Sequence, residues 1–279
     1  MAAIWYLGPE GNLKELICPE VNIEMTTERF GGVFQGLSGA RSMDVTGFKQ
    51  KFTFEFNWLD QAEYQWYKAL HLRQFPGPFR LLNPLEKNRL TPESSMTKWG
   101  GGTAQGFSIT SGVASRSWDY PSSVAGGFGQ STKWSNRSAG TSILRFDTQR
   151  LTTVIPGETI TASVWMKTNS AFTPNVVVDW FDRTAQTGST TVSTPSLTTT
   201  WQQVVITATV PAGTTRARFA TYTSNTTSEL YMAAAQLEAS ATVTAWEIGG
   251  AAPIVFVDQM PTVSPRFPLR NVTMTLLEA

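Results

Sequence analysis

Residues 49–58 read Lys-Gln-Lys-Phe-Thr-Phe-Glu-Phe-Asn-Trp, and their alternation sets the fold class. Phe52, Phe54 and Phe56 share one face; Lys51, Thr53, Glu55 and Asn57 share the other. A period of two with one apolar side predicts a half-buried β-strand. Directly after it, Asp60–Gln74 predicts a helix. Asp60 can cap it, and Glu63 is placed for a capping box. Ala62, Trp66, Ala69 and Leu70 make an apolar stripe. His71 lies near the C-terminal end, where a partly cationic imidazole suits the helix dipole. Phe75-Pro-Gly-Pro-Phe79 stops the helix, and residues 80–83 read as another strand. Further strands are expected at Ala3–Leu7, at Cys18–Thr27 (alternating at Val21, Ile23 and Met25), at Ile254–Val257 and at Asn271–Leu277 (alternating at Val272, Met274 and Leu276).

Moving outward, the composition changes twice. Residues 91–248 carry 31 Thr, 20 Ser and seven of the ten Trp, but only three Lys. The flanks, 1–90 and 249–279, hold 12 basic and 12 acidic residues. The changes fall at the turn-like stretches Asn88–Pro92 and Ile248–Pro253. This pattern predicts a discontinuous scaffold, 1–90 with 249–279, carrying an inserted domain at 91–248. Insertions are tolerated where chain ends meet at a surface turn. Within the insert, strands are expected at 106–111, 142–147, 159–168, 175–182, 202–210, 216–223 and 229–238. Tight turns are expected at Pro156-Gly157 and Pro211-Ala-Gly213. Short strands at regular spacing with no helical period predict a β-sandwich or jelly roll. The chain as a whole is therefore expected to be mainly β.

Composition excludes several function classes. The 279 residues carry 22 Lys and Arg against 21 Asp and Glu, which leaves no electrostatic footprint for nucleic acid. One Cys rules out a disulfide framework and a multi-Cys metal site within one chain. One His rules out two-His metal motifs. Met1–Gly11 lacks a basic region followed by an apolar core, so no signal peptide is expected, and no apolar run approaches the ~18 residues of a membrane span. The glycosylation patterns at Asn136, Asn225 and Asn271 are then chance matches. Cys18, beside Pro19, reads as a small buried residue rather than a nucleophile. No cofactor fingerprint is present.

The stretches Val154–Lys167, Trp201–Thr207, Val210–Gly213, Ala235–Glu238 and Ala241–Glu247 resemble the jelly-roll carbohydrate-binding modules of bacterial glycan-degrading enzymes and phage tail proteins. The resemblance covers most of residues 95–248. Many relatives carry Asp where this chain has Tyr231-Met-Ala-Ala-Ala-Gln236, and that departure argues against the structural calcium the resemblance would imply. In the flanks, Arg29–Val33, Leu37-Ser-Gly39, Phe52–Leu59, Gly77–Pro84, Asn88-Arg-Leu90 and Asn271–Glu278 are similar to tail proteins of long-tailed phages, of the distal-tail and tail-tube type. That resemblance implies a β-sandwich or split barrel with one helix, whose subunits form a ring around the tail channel, expected here to be a hexamer. It also implies other tail proteins as partners and the virion as location, with no membrane.

Sugars are held by flat aromatic faces with polar side chains fixing the hydroxyls. The segment from Arg116 through Trp118, Tyr120 and Phe128 to Trp134, Asn136 and Arg137 is Gly- and Ser-rich and reads as a loop, which makes its aromatics ligand candidates. Trp118, Tyr120, Trp134 and Asn136 are taken as candidate carbohydrate contacts, with packing under the loop or against a neighbouring subunit as the alternatives. Trp180, beside Asp179, is a further candidate, and Trp165 a weaker one. Arg145, Asp147 and Gln149 share a strand face at period two and can line a polar groove. Trp201 and Trp246 match structural positions of the module and are expected in the core. Carboxylate pairs for glycoside hydrolysis could be Asp179 with Asp182 or Asp147 with Glu158, but nothing in the pattern marks them as catalytic, and no enzyme is expected. The leading expectation is a structural tail protein whose outward module binds host cell-wall polysaccharide. The alternative is a purely structural tail protein whose insert decorates the tail or mediates subunit contacts.

Overall fold

The computed structural model describes residues 4–279 apart from 17–22, 37, 45, 101–102, 105, 123, 125–129 and 148–150. Cys18, Val21, Phe128 and Gln149 lie outside the described residues. The chain is mainly β and divides into two compact units, Met1–Leu82 with Pro253–Ala279, and Asn83–Ala252.

The first unit begins with β1 (Tyr6–Pro9), β2 (Lys14–Glu15), β3 (Ile23–Phe30), β4 (Val33–Gln35), β5 (Arg41–Met43), β6 (Gly47–Leu59), α1 (Gln61–His71) and β7 (Phe79–Leu82). The second unit supplies α2 (Pro92–Ser95), β8 (Trp99–Gly100), β9 (Thr103–Ala104), β10 (Ser108–Ile109), β11 (Val113–Ser117), β12 (Ser131–Ser135), β13 (Ser142–Arg145) and β14 (Thr152–Thr153). It continues through β15 (Thr159–Thr168), β16 (Asn175–Phe181), β17 (Gln186–Ser193), β18 (Gln202–Thr209), β19 (Arg216–Thr223) and β20 (Leu230–Glu238). The chain then returns to the first unit as β21 (Ile254–Gln259), β22 (Thr262–Arg266) and β23 (Leu269–Glu278).

In the first unit an antiparallel sheet runs β2-β1-β7-β21-β23-β6-β3, with β22 paired to β23. The alternation of β6 works as the sequence implies: Phe52, Phe54 and Phe56 are buried, and they face Leu276, Met274 and Val272 of β23 in register. Such apolar cross-strand pairs stabilise a sheet. α1 follows with its capping box formed: Asp60 Oδ1 accepts from the Glu63 N–H (2.8 Å), and Glu63 Oε2 accepts from the Asp60 N–H (3.0 Å). The buried face of α1 is turned from the expected stripe. Tyr67 and Leu70 are buried, Trp66 is partly covered and Ala62 is exposed. The cause is aromatic: Tyr67 stacks on Phe56 at 4.8 Å and draws the helix round.

The unit boundary lies outside the composition break. Asn83–Leu90 belongs to the second unit because its polar groups are bonded there. Asn88, fully buried, donates through Nδ2 to the carbonyls of Ala235 (3.1 Å) and Glu247 (3.0 Å). Its Oδ1 accepts from the N–H groups of Leu90 (3.2 Å) and Leu237 (3.1 Å). The Asn88 carbonyl accepts from Gly250 and Ala251, and the Asn83 N–H donates to the Ala251 carbonyl. The two strands of chain that open and close the second unit are thus bonded to each other. Gly249 fits there for lack of a side chain, since a Cβ would lie 2.1 Å from the Leu90 carbonyl oxygen.

The second unit is a jelly-roll sandwich of two antiparallel sheets, β10-β13-β19-β16-β17 with β14 on β19, and β11-β12-β20-β15-β18. Between them lies a core that includes Trp134, Phe146, Val164, Trp180, Phe219 and Met232. β15 and β19 have the predicted bounds. β11 and β12 lie in the stretch read as a loop, where Gly and Ser mask a strand that buries Ser131, Thr132 and Trp134. β17 and β22 were likewise not expected. In β20 the core phase runs Leu230, Met232, then Ala235, Leu237. The skip is a bulge: Ser163 pairs with Gln236 but Trp165 pairs with Ala233, and Ala234 takes φ 52°.

Candidate functional site

The two sheets divide the predicted site residues between them. On the five-stranded sheet, Trp134 is fully buried, its Nε1 donates to the Ser111 carbonyl (2.9 Å), and the Arg137 guanidinium lies 4.9 Å from its ring centre. It is a core residue and has no face to offer a sugar. Trp180 is corrected in the same way. It is 1% exposed among Val176, Val178 and Phe219, with Nε1 directed at Thr191 Oγ1 (3.4 Å). Asn136 is exposed, in the turn after β12, with φ 51°. Trp118 is 70% and Tyr120 41% exposed, beyond the end of β11. Trp201 and Trp246 leave the main core: with Trp165 they are partly buried against Val124, Ala233 and Ala234, where the β20 bulge turns two small residues outward.

Arg145 and Asp147 belong to the other sheet, and there the structure gathers a set of residues that the sequence reading missed in part. Strand alternation sends Arg216, Arg218, Ala220 and Tyr222 of β19 away from the core, with Val177, Asp179 and Phe181 of β16 on one side. Arg145 of β13 pairs with Ala220 on the other side, and Asp147 follows two residues on. Val177, Asp179 and Ala220 face outward yet are buried to 1%, 0% and 0% exposure, so the middle of this face lies beneath the longer side chains around it. Asp147 is 6% exposed.

An ion pair organises the recess. Arg218 donates through Nε (3.0 Å) and Nη2 (2.6 Å) to Asp179 Oδ2. The Tyr222 hydroxyl donates to the same oxygen and accepts from Arg218 Nη2 (3.2 Å). The Arg218 guanidinium also lies 4.8 Å from the ring centre of Phe181. Burial opposes the charge of Arg218, but the Asp179 carboxylate and the Tyr222 oxygen outweigh it, and its pKa lies above the ordinary value. Burial, followed by the bond to Asp179, pushes the Tyr222 phenol up as well. Arg216 directs Nε (3.1 Å) and Nη2 (2.7 Å) at the Asp182 carbonyl. Arg145 Nε is buried without a hydrogen-bond partner. From Arg216 to Tyr222 the face runs six residues, about 20 Å, the length of a short oligosaccharide.

The outer face of the five-stranded sheet carries more aromatics but satisfies itself. Lys167 bonds Asp119, and its ammonium lies 5.4 Å from the Trp201 ring centre and 5.1 Å from that of Tyr231. Trp201 Nε1 donates to Asp119 Oδ1 (3.1 Å). Tyr231 donates to Glu229 (2.7 Å), which also takes Lys133 (3.0 Å). Burial first, and then the bond to Glu229, push the Tyr231 phenol up to about 12. Partial burial tends to raise the Asp119 carboxyl, but Lys167 and Trp201 prevail and hold it below its usual range.

Three of the four carboxylates weighed for hydrolysis, Asp179, Asp182 and Glu158, have partners of their own. Asp179 is tied to Arg218 and Tyr222. Asp182 is partly exposed and caps a turn through the Thr184 and Ala185 N–H groups. Glu158 holds Arg89 with both oxygens (2.5 and 3.0 Å). After β20, Glu238 accepts from Thr244 and Gln236, and Glu247 accepts from the Asn88 N–H. Among the described residues no group of three or more His, Cys, Asp or Glu converges on a metal position, and no helix is long and apolar enough to cross a membrane.

No protein-family profile and no curated protein matches the chain. Several solved structures do. The enzymatically active domain of tailspike protein 4 from bacteriophage CBA120 is 16% identical with a TM-score of 0.44, over 54% of this chain and 21% of that one. The chain therefore spans about a fifth of that tailspike chain. The CBM22-1–GH10 modules of Clostridium thermocellum xylanase 10B, complexed with xylohexaose, are 12% identical with a TM-score of 0.40, over 58% of this chain and 30% of that one. TmCBM61 in complex with β-1,4-galactotriose is 11% identical with a TM-score of 0.38, over 56% of this chain and the whole of that one. Structures similar to this chain thus include a phage tailspike domain and jelly-roll carbohydrate-binding modules, and at these identities the likeness is one of fold alone.

Proposed function

We propose that the chain is a non-enzymatic phage tail protein whose second unit binds host-surface glycan in the recess of its six-stranded sheet. The observation that carries this reading is the covered polar middle of this sheet face. Outward residues are buried there without belonging to the core, a ring from Phe181 and one from Tyr222 flank an ion pair, and Arg145 presents a buried N–H with no partner. Flat rings beside fixed polar groups are what a sugar requires. Trp118 and Tyr120, well exposed, are retained as peripheral contacts.

The first unit supports assembly. Phe30, Phe34, Met43, Phe48, Trp58 and Phe267 are all between 48% and 91% exposed. So many large apolar side chains on one small unit favour burial against another protein surface. Further copies of this chain in a ring of six around the tail channel, at the distal tail, are the arrangement proposed, with the second unit outward. Several copies per particle would raise a weak single-site affinity.

The test is binding of the full chain to host cell walls and to a glycan array, beside its mass in solution. Saturable retention on polysaccharide and a ring-sized particle are expected. Absence of retention on any glycan, with the protein folded and assembled, would leave the alternative, a decoration that mediates subunit contacts.

A further inference from the structure

The recess is lined so as to favour one charge of ligand. Two of its carboxylates are buried, Asp179 fully and held by Arg218 and Tyr222, and Asp147 at 6% exposure, while Asp182 lies beside Arg216. The Tyr222 hydroxyl proton is committed to Asp179, so this side chain offers its ring. The same sheet face carries three arginines, Arg145, Arg216 and Arg218, of which Arg218 is held by Asp179 and Arg216 by the Asp182 carbonyl. Arg145 is the informative one. No ion pair among the described residues uses it, and its Nε is buried with no hydrogen-bond partner. A guanidinium cannot lose its proton to escape this position, and a buried donor left unpaired is costly.

A neutral sugar hydroxyl both donates and accepts, and a guanidinium uses only half of that capacity. An oxyanion only accepts, and a guanidinium meets carboxylate or phosphate oxygens with two parallel N–H bonds. The whole chain has a net charge of only +1, so attraction for an anion has to be local. We propose that the recess recognises an acidic glycan, one carrying an anionic oxygen group, with Arg145 as the anion contact. This deepens the glycan-binding reading and rests on it. Phe181 and Tyr222 would lie against the sugar ring, while Arg218 stays fixed by Asp179.

The experiment is calorimetric titration of the full chain with three probes of matched length: an oligogalacturonate, a neutral oligogalactan and a glycerol-phosphate oligomer. At least one anionic probe is expected to bind tenfold or more tightly than the neutral one, and which one does so separates a carboxylate source from a phosphate source. Arg145→Gln should abolish the preference, and Arg145→Lys, which keeps the charge but not the fork, should leave a reduced one. The wild-type Arg145 Nε–H resonance should shift on adding the preferred probe, a readout that needs no variant. Equal affinity for neutral and anionic probes, or a preference that survives Arg145→Gln, would overturn the acidic-glycan proposal while leaving glycan binding intact. No binding to any of the three, nor to a broad glycan array, would overturn the glycan reading itself and this proposal with it.

Discussion

The two outer faces of the second unit use the same ingredients to different ends. Each has a carboxylate, a cation and aromatic rings within a few ångströms. On the five-stranded sheet, Lys167 takes Asp119, Trp201 and Tyr231 as partners, and Asp119 remains 50% exposed. On the six-stranded sheet, Asp179 is 1% exposed beneath Arg218, and a second arginine, Arg145, is left with a buried unpaired N–H. The first arrangement closes on itself and is a surface brace. The second buries its charges, fixes one arginine with an acid and leaves another for something else. Counting aromatics alone points to the first face; the unpaired Arg145 donor points to the second, the one proposed as the site.

The largest test of that difference is to remove the acid from each pair. Asp179→Ala leaves Arg218 buried and unpaired, which should cost about 3–5 kcal/mol in unfolding free energy. Urea titration of the full chain, followed at the tryptophans, would read it. A cost below about 1 kcal/mol would mean that the recess is wetter than described. Tyr222→Phe removes one hydrogen bond to a charged oxygen and should cost about 1.5–3 kcal/mol by the same measurement. Asp119→Ala, on the exposed face, should cost about 0–1 kcal/mol, because a half-exposed pair is screened and entropically expensive to hold. Trp118→Ala should stay within about 0.5 kcal/mol of the parent, since Trp118 is 70% exposed and its ring contact among the described residues is Arg116.

The smallest expected effect is a pH dependence confined to the five-stranded face. Asp119 and Glu229 both have folded pKa values below their ordinary ones. Their contribution is therefore fully present above the unfolded carboxylate pKa and is lost as pH falls through the lowered folded values. Melting temperature should fall slightly more on acidification in the parent than in an Asp119→Asn, Glu229→Gln double variant. An equal acid response in the two proteins would show that these bonds are not held in solution.

Much of the fold is legible in the sequence wherever burial follows a strict period. Phe52, Phe54 and Phe56 and their partners Val272, Met274 and Leu276 are read directly from alternation, and the α1 cap from Asp60 and Glu63. β15 and β19 end where the Thr-rich alternation ends. Legibility fails where tertiary packing changes the phase. The Ala234 bulge shifts β20 by one residue, and small residues on both sides of it give no local signal. β12 buries Ser131 and Thr132 beside Trp134, a pattern that reads as a loop. The unit boundary shifted because Asn88 is fixed by bonds to residues about 150 positions away. Half of the recess was visible as the period-two pair Arg145 and Asp147. Arg218 and Tyr222 carried the same signal in Arg216-Ala-Arg-Phe-Ala-Thr-Tyr222, where cations and a ring alternate with apolar or small residues. Their link to Asp179 needed the cross-strand register, which a single strand does not contain.

The central claim is that glycan lies in the recess and not on the aromatic face. The most direct measurement is retention of the full chain on host cell-wall polysaccharide for two variants, Arg145→Ala and Trp118→Ala, both at positions where folding is expected to survive. The account predicts that Arg145→Ala loses at least tenfold in retention and that Trp118→Ala keeps most of it. Full retention by Arg145→Ala together with loss in Trp118→Ala would move the site to the opposite sheet and contradict the account.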